Sequence, residues 1–218
     1  MSKIGIAILS CAVFLAACED PAANKPKATT TNSTTTMNAA PSNTTAPTID
    51  VKGTAYKING ENSKVEFTGS KVTGKHDGGF KTFAGTIDLV NKKPEESKVA
   101  VDIELNSVFT DADGLTQHLQ TGDFFEIEKY PKATFVSTKI VPDAEKGAGN
   151  YTMTGDFTLR GQTKSITFPA KITVGDVDVT VESEFSINRK DFGIVYAGKA
   201  DDLIRDDVVV RLNLKGTK

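Results

Sequence analysis

The chain of 218 residues contains no tryptophan, two cysteines and two histidines. Both cysteines, Cys11 and Cys18, fall within the first twenty residues, so the rest of the chain carries no thiol. That excludes a disulfide framework, a cysteine-bound metal cluster and a cysteine nucleophile from the body of the protein. His76 and His118 belong to no metal-ligand spacing, and neither a nucleophile elbow nor a phosphate-cradling glycine loop occurs. His76-Asp77 lies in a glycine-rich stretch that reads as a solvated hairpin turn. Formal net charge is only -2, with no basic block, which argues against a nucleic-acid partner. The expectation is a protein that is not an enzyme and holds no metal.

Long hydrophobic runs are also scarce, and the one present is at the start. Lys3 precedes a stretch from Ile4 to Ala17 that is apolar apart from Gly5, Ser10 and Cys11, the layout of a secretory signal. It is too short to span a bilayer comfortably. Its end, Leu15-Ala16-Ala17-Cys18, resembles a lipobox, which predicts a lipoprotein signal peptide over residues 1–17 and lipidation at Cys18. More than one acyl chain on a residue anchors stably where one binds marginally. The expected location is outside the cytoplasm, lipid-anchored to the cell envelope, facing the periplasm from the outer or inner membrane, with surface exposure left open.

Residues 18–53 are rich in Thr, Ala, Asn, Pro and Lys and poor in large apolar side chains. Such a segment buries too little surface to offset its conformational entropy, so it reads as a disordered tether. As a flexible coil of about 35 residues it would reach roughly 30 Å.

Residues 54–218 alternate with period two. Val65 and Phe67 stand against Glu66, Thr68 and Ser70; Val99, Val101, Ile103 and Leu105 against Asp102 and Glu104; Ile166, Phe168, Ala170 and Ile172 form a face, as do Val177, Val179, Val181, Phe185 and Ile187. About eight such strands predict an antiparallel sheet, dry on one side, closed into a barrel. Gly175-Asp176 between Val174 and Val177 reads as a two-residue hairpin loop. From Gly114 to Tyr130 the period becomes helical, and Asp123 with Glu126 reads as a capping box opening a turn through Phe124-Phe125. Two placements stay open for this excursion: plugging one end of the barrel, or packing on its outside.

The run from Leu115-Thr116-Gln117-His118-Leu119 through Gly122-Asp123-Phe124-Phe125 to Tyr130-Pro131, then Ala133-Thr134-Phe135, resembles the signature of the YceI-like family. Gly155-Asp156-Phe157-Thr158-Leu159-Arg160-Gly161 and Phe185-Ser186-Ile187-Asn188-Arg189-Lys190-Asp191-Phe192-Gly193 are similar to its central and C-terminal motifs. The stretch Gly69 to Gly79 departs from the commoner members. The resemblance covers residues 54–218 and implies an all-β, extended, lipocalin-like barrel whose apolar interior holds a long-chain lipid such as a polyisoprenoid.

Twelve phenylalanines are present, and all except Phe14 lie in the domain. The cavity-lining candidates are Phe67, Phe83, Leu115, Leu119, Phe124, Phe125, Phe135, Phe157, Phe168 and Phe185. Sequence alone leaves a hollow barrel and a side-chain-filled one open, since eight strands suit either. His118, Arg160 and Arg189 are candidates for a polar head; for each the competing reading is a structural bond or a rim ion pair. The expected function is binding or shuttling of a long-chain lipid in the envelope, with a bound lipid and no other cofactor. The alternative is a ligand-free structural or stress-protective interaction domain.

Overall fold

The computed structural model describes residues 19–33 and 49–218; the predicted signal peptide and Cys18 lie outside the described residues. The strands are β1 (Thr29–Asn32), β2 (Thr54–Asn59), β3 (Lys64–Lys71), β4 (Gly74–Phe80), β5 (Phe83–Leu89), β6 (Lys98–Glu104), β7 (Val108–Thr110), β8 (Lys132–Pro142), β9 (Asn150–Leu159), β10 (Gln162–Val174), β11 (Asp178–Asn188), β12 (Gly198–Lys199), β13 (Asp202–Leu203) and β14 (Asp207–Thr217). Among the described residues one α-helix, α1 (Asp113–Leu119), interrupts them.

Antiparallel ladders join β2, β5, β6, β8, β9, β10, β11 and β14 in that order and return from β14 to β2, closing an eight-stranded barrel. On the far side of bends at residues 60–63, 81–82 and 104–107, β3, β4 and β7 continue the lines of β2, β5 and β6. Between β7 and β8 the chain leaves the wall, and α1 with the turns after it occupies that interval.

The period-two faces lie where the pattern places them: Tyr56, Ile58, Ile87, Val101, Met153, Ile166, Phe168, Val181 and Phe185 are all buried. Gly155 is required by close approach, because a Cβ there would lie 2.4 Å from the Phe135 ring. An alanine could not share that space.

Several local expectations need correction. The first is the β10–β11 turn. Val174 pairs with Val179, and the Gly175 N–H donates to the Asp178 carbonyl at 2.9 Å, so the connection is longer than two residues and Val177 is exposed rather than inward. The second is the helix. It ends at Leu119; a turn at residues 122–125 follows, closed by the Phe124 N–H on Thr121 O at 3.1 Å, but Asp123 does not cap it, its carboxylate being bonded to His118 Nε2 at 2.8 Å. Asp77 and His76 are likewise strand residues of β4, opposite Thr68 and Gly69, and not a turn.

The third concerns the tether, which is ordered over residues 19–33. Beyond the Lys171–Glu182 pair β11 parts from β10, near Pro169, whose carbonyl accepts from Ser183 Oγ. Proline has no N–H to extend a ladder. Residues 26–32 fill the opening: the Ser186 N–H donates to Pro26 O and the Ala28 N–H to Ser186 O, both at 2.8 Å, while β1 pairs with β10 from Thr29–Thr167 to Asn32–Lys164. Backbone hydrogen bonds, which any side chain permits, hold this strap. Its own Ala28 and the preceding Ala22 are buried.

Candidate functional site

The barrel is filled at one end and hollow at the other. Around β2, β5 and the β10–β11 turn, Tyr56, Ile58, Ile87, Leu89, Ile172 and Val179 pack together. Toward α1 and the β3–β4 hairpin the side chains stand apart around a cavity of about 380 Å³. That is within the range of small-molecule sites. The hollow reading thus holds from Val99 and Leu214 to the lid, and the filled one only for the end beyond them.

Phe135, Phe157, Phe168 and Phe185 line the cavity from β8 to β11, and Phe67 does so from β3. Phe168 stacks on Phe185 at 4.2 Å between centroids and 12° between planes, with Phe135 tilted against Phe168 at 5.7 Å. Phe83 does not line it: this ring is buried at the bend beside Gly60, in the packed wall. Its ladder partner Ile103 does line the cavity, so a period-two pattern identifies an inward residue but not which space its side chain fills.

Leu115, Leu119, Phe124 and Phe125 close the hollow end as a lid. The excursion therefore plugs the barrel, the first of the two placements. Phe124 and Tyr196 form an aromatic triangle with His118, with centroids 5.0, 5.1 and 5.5 Å apart, which joins the lid to the 194–197 segment. His118 is half-exposed, bonded to Asp123, and absent from the cavity wall.

Arg160 sits with φ of 49° beside Gly161 at 70°, the left-handed pair that a two-residue β9–β10 loop needs. Its guanidinium donates to the carbonyls of Gly122, at 2.6 Å, and Gly193, and lies 3.5 Å from Glu126. Arg160 thus clamps the lid to the neighbouring turn from outside. Arg189 does touch the cavity, yet its donors are taken: Nη1 by Ile194 O at 2.7 Å, Nε by Arg205 O at 3.1 Å and Nη2 by Ile204 O at 3.3 Å, with Asp206 at 3.5 Å. Burial pulls its pKa below the ordinary value and Asp206 opposes this; a guanidinium stays charged regardless. All three polar candidates are therefore engaged by protein groups.

The polar group the sequence did not single out is Ser70. It was expected on the wet face, but it is 6% exposed and lines the cavity, and its Oγ has no hydrogen-bond partner among the described residues. A buried hydroxyl without a partner costs about 1–3 kcal/mol, so its presence asks for a reason. Lys71 and His76 border the same end, tied to Asp202 and, at 2.8 Å, to Asp111. The Lys71 ammonium holds the Asp202 carboxyl below the usual carboxylate range. A largely apolar cavity thus ends in a hydroxyl without a partner among the described residues, with Glu66 and the paired Lys71 and His76 at the same end.

Residues 56–216 match the YceI-like domain. A UPF0312 protein of Pseudomonas putida strain W619 is 34% identical over 139 residues, which cover 61% of this chain and 71% of that protein. Protein YceI of Escherichia coli O6:H1 is 39% identical over 124 residues, 54% of this chain and 62% of the relative. Among solved structures, BcnA of Burkholderia cenocepacia superposes with a TM-score of 0.65 at 22% identity, over 73% of this chain and 99% of its own. A polyisoprenoid binding domain from Saccharophagus degradans, implicated in plant cell wall breakdown, superposes with a TM-score of 0.60 at 20% identity, over 74% of this chain and 97% of its own. At these identities the structural likeness is one of fold.

Proposed function

This chain belongs to the YceI-like domain family, and on that premise we propose that it binds a long-chain lipid of the polyisoprenoid kind in the hollow end of its barrel. The observation that carries the reading is the largely apolar cavity with Ser70 in its wall, a buried hydroxyl without a hydrogen-bond partner among the described residues. An apolar chain gains about 0.8 kcal/mol for each methylene buried, so a dozen carbons offset the cost of association. The fold it shares with a polyisoprenoid binding domain agrees with that ligand class. In this reading Cys18 carries the lipid anchor, the protein works at the cell envelope, and no bond is made or broken.

The test is equilibrium binding of a fluorescent isoprenoid to the purified protein, together with its unfolding curve. Ligand at a hundredfold excess over Kd stabilises the folded state by about 2.7 kcal/mol. Saturable binding with that stabilisation is expected. No binding, and an unfolding curve indifferent to ligand, would instead favour the ligand-free interaction domain.

Ser70→Ala should act with opposite signs on the empty and the loaded protein. Without ligand it removes a buried hydroxyl that lacks a partner, so stability is unchanged or rises. With an alcohol- or phosphate-headed isoprenoid it removes one hydrogen bond, weakening affinity by about 1 kcal/mol, roughly fivefold. A headless hydrocarbon should bind both forms equally. Equal losses for headed and headless ligands would remove Ser70 from head recognition.

Release should be governed by the lid, because α1 and its turns are short and unladdered while the wall is continuous. The double variant Phe124→Ala, Phe125→Ala should release a bound fluorescent isoprenoid faster than the parent in stopped-flow chase. An unchanged rate would place the exit elsewhere.

A further inference from the structure

The hollow end of the barrel carries an unusual rim. Ile194 lines the cavity and its neighbour Val195 is 65% exposed; Ile204 lines it and Leu203 is 49% exposed; Lys71 lines it and Val72 is 53% exposed. Each exposed apolar side chain thus adjoins a residue of the cavity wall. The three belong to one surface: the Val72 N–H donates to Leu203 O at 3.2 Å, Lys71 bridges Ile204, and Leu203 and Val195 belong to the same excursion, closed by the Ile204 N–H on Ala197 O at 2.9 Å. Apolar side chains clustered at the mouth of a cavity mark an interaction surface.

The N-terminal strap begins at this same rim. Arg205 follows Ile204, donates its backbone N–H to Ser70 O at 2.8 Å, and its guanidinium lies 3.3 Å from the Asp20 carboxylate. Asp20 in turn accepts from the Ala22 N–H at 2.9 Å. The strap then turns, with Lys25 on Glu184 and Lys27 on Asp207, each at 2.8 Å, and runs back along the β10–β11 seam toward the lid end, parallel to β11 at Lys27–Ser186 and reaching Asn32 opposite Lys164. Cys18 is one peptide bond before Glu19 in the sequence, and consecutive Cα atoms are about 3.8 Å apart. Glu19, the first described residue, is thus held beside the rim through Asp20, so an anchor one residue earlier, as the reading above has it, would be tethered there and not at the roughly 30 Å reach of a free coil.

We infer that the rim formed by Val72, Val195 and Leu203 is a bilayer-docking surface, and that the seated strap turns the cavity mouth toward the membrane that holds the anchor. A lipid then passes between bilayer and barrel without its apolar chain crossing water. This rests on the anchored lipid-binder reading above, and the experiment separates the two.

The opposite end supplies the control. Along β14 the partners run from Asn188 at Asp207 to Asp178 at Thr217, about 33 Å at roughly 3.3 Å per residue. Val177, 71% exposed, lies beyond Asp178 at that far end. With Cys18 acylated and Cys11 lost with the signal peptide, a single introduced cysteine is the only reactive thiol. Full-length protein carrying Val195→Cys, Leu203→Cys or Val177→Cys is purified from membranes, labelled with an environment-sensitive fluorophore, and reconstituted in phosphatidylethanolamine–phosphatidylglycerol vesicles containing a doxyl-quencher lipid. Quenching several-fold stronger at 195 and 203 than at 177 is the expected result. Equal quenching at all three sites, or none while the protein still floats with the vesicles, overturns docking and leaves the anchor standing. Protein that does not float overturns the anchor, and docking with it. Ala28→Pro removes the donor to Ser186 O; with the strap released, the difference between rim and far end should collapse while flotation persists. A gradient unchanged in that variant contradicts orientation by the strap.

Discussion

Arg189→Ala should lower the unfolding free energy by about 3–5 kcal/mol, the loss typical of removing one partner from a buried charged network. Only 5% of this residue is exposed, and its guanidinium donates to the carbonyls of Ile194, Ile204 and Arg205. Those carbonyls come from both ends of the excursion between β11 and β14, so one side chain gathers a segment with little regular structure. Its backbone joins the same network through the Arg189 N–H to Asp206 O at 2.9 Å. Arg189→Lys should recover only part of the loss, because an ammonium on a flexible stem does not reproduce the planar fork. Urea titration of the three proteins measures this. A change within about 0.5 kcal/mol, as for an ordinary surface residue, would contradict the structural role. If such a change came with weakened binding of phosphate-headed ligands alone, Arg189 would return as a head-binding group.

Phe168→Ala and Phe157→Ala should differ, and the difference reads the cavity. Phe168 is 3% exposed and packed between Phe185 and Phe135, so truncation should cost about 3–5 kcal/mol. Phe157 is half-buried, meets Phe192 edge-on at 5.1 Å, and turns its remaining surface to the cavity. Fewer contacts are lost there, and the penalty should be markedly smaller. Matched unfolding titrations of ligand-free protein decide it. A full penalty at both positions would mean that the space beside Phe157 is filled.

The barrel was legible because a strand that buries one face writes period two into its sequence, as Ile166, Phe168, Ala170 and Ile172 do. The strap was not, because β1 joins through backbone hydrogen bonds and most of its side chains are exposed: Thr29-Thr30-Thr31-Asn32 reads the same whether solvated or paired. The signal for it lay elsewhere, in Pro169, a proline in a long strand that must leave a neighbour unbonded. The polar residues of the site were misread for a related reason. Arg160, Arg189 and His118 attract notice by charge, yet charge near a rim is as readily spent on backbone carbonyls and carboxylates. Ser70 attracts none, and its position against the cavity depends on how β3 turns beyond the bend at residues 60–63. Asp123 shows the same competition in the lid, where the His118 side chain took the carboxylate that a capping box would have used.

The central claim is that the hollow end of this barrel holds an apolar chain, and native mass spectrometry of the full-length protein extracted from bacterial membranes tests it most directly. The account predicts a species heavier than the acylated polypeptide by a few hundred daltons, with the excess lost on mild activation and recovered in the organic phase as an isoprenoid or similar long-chain lipid. It predicts that Phe124→Ala, Phe125→Ala protein retains less of that excess through purification than the parent. A single species at the polypeptide mass, unchanged when the protein is incubated with isoprenoid before spraying, would contradict it.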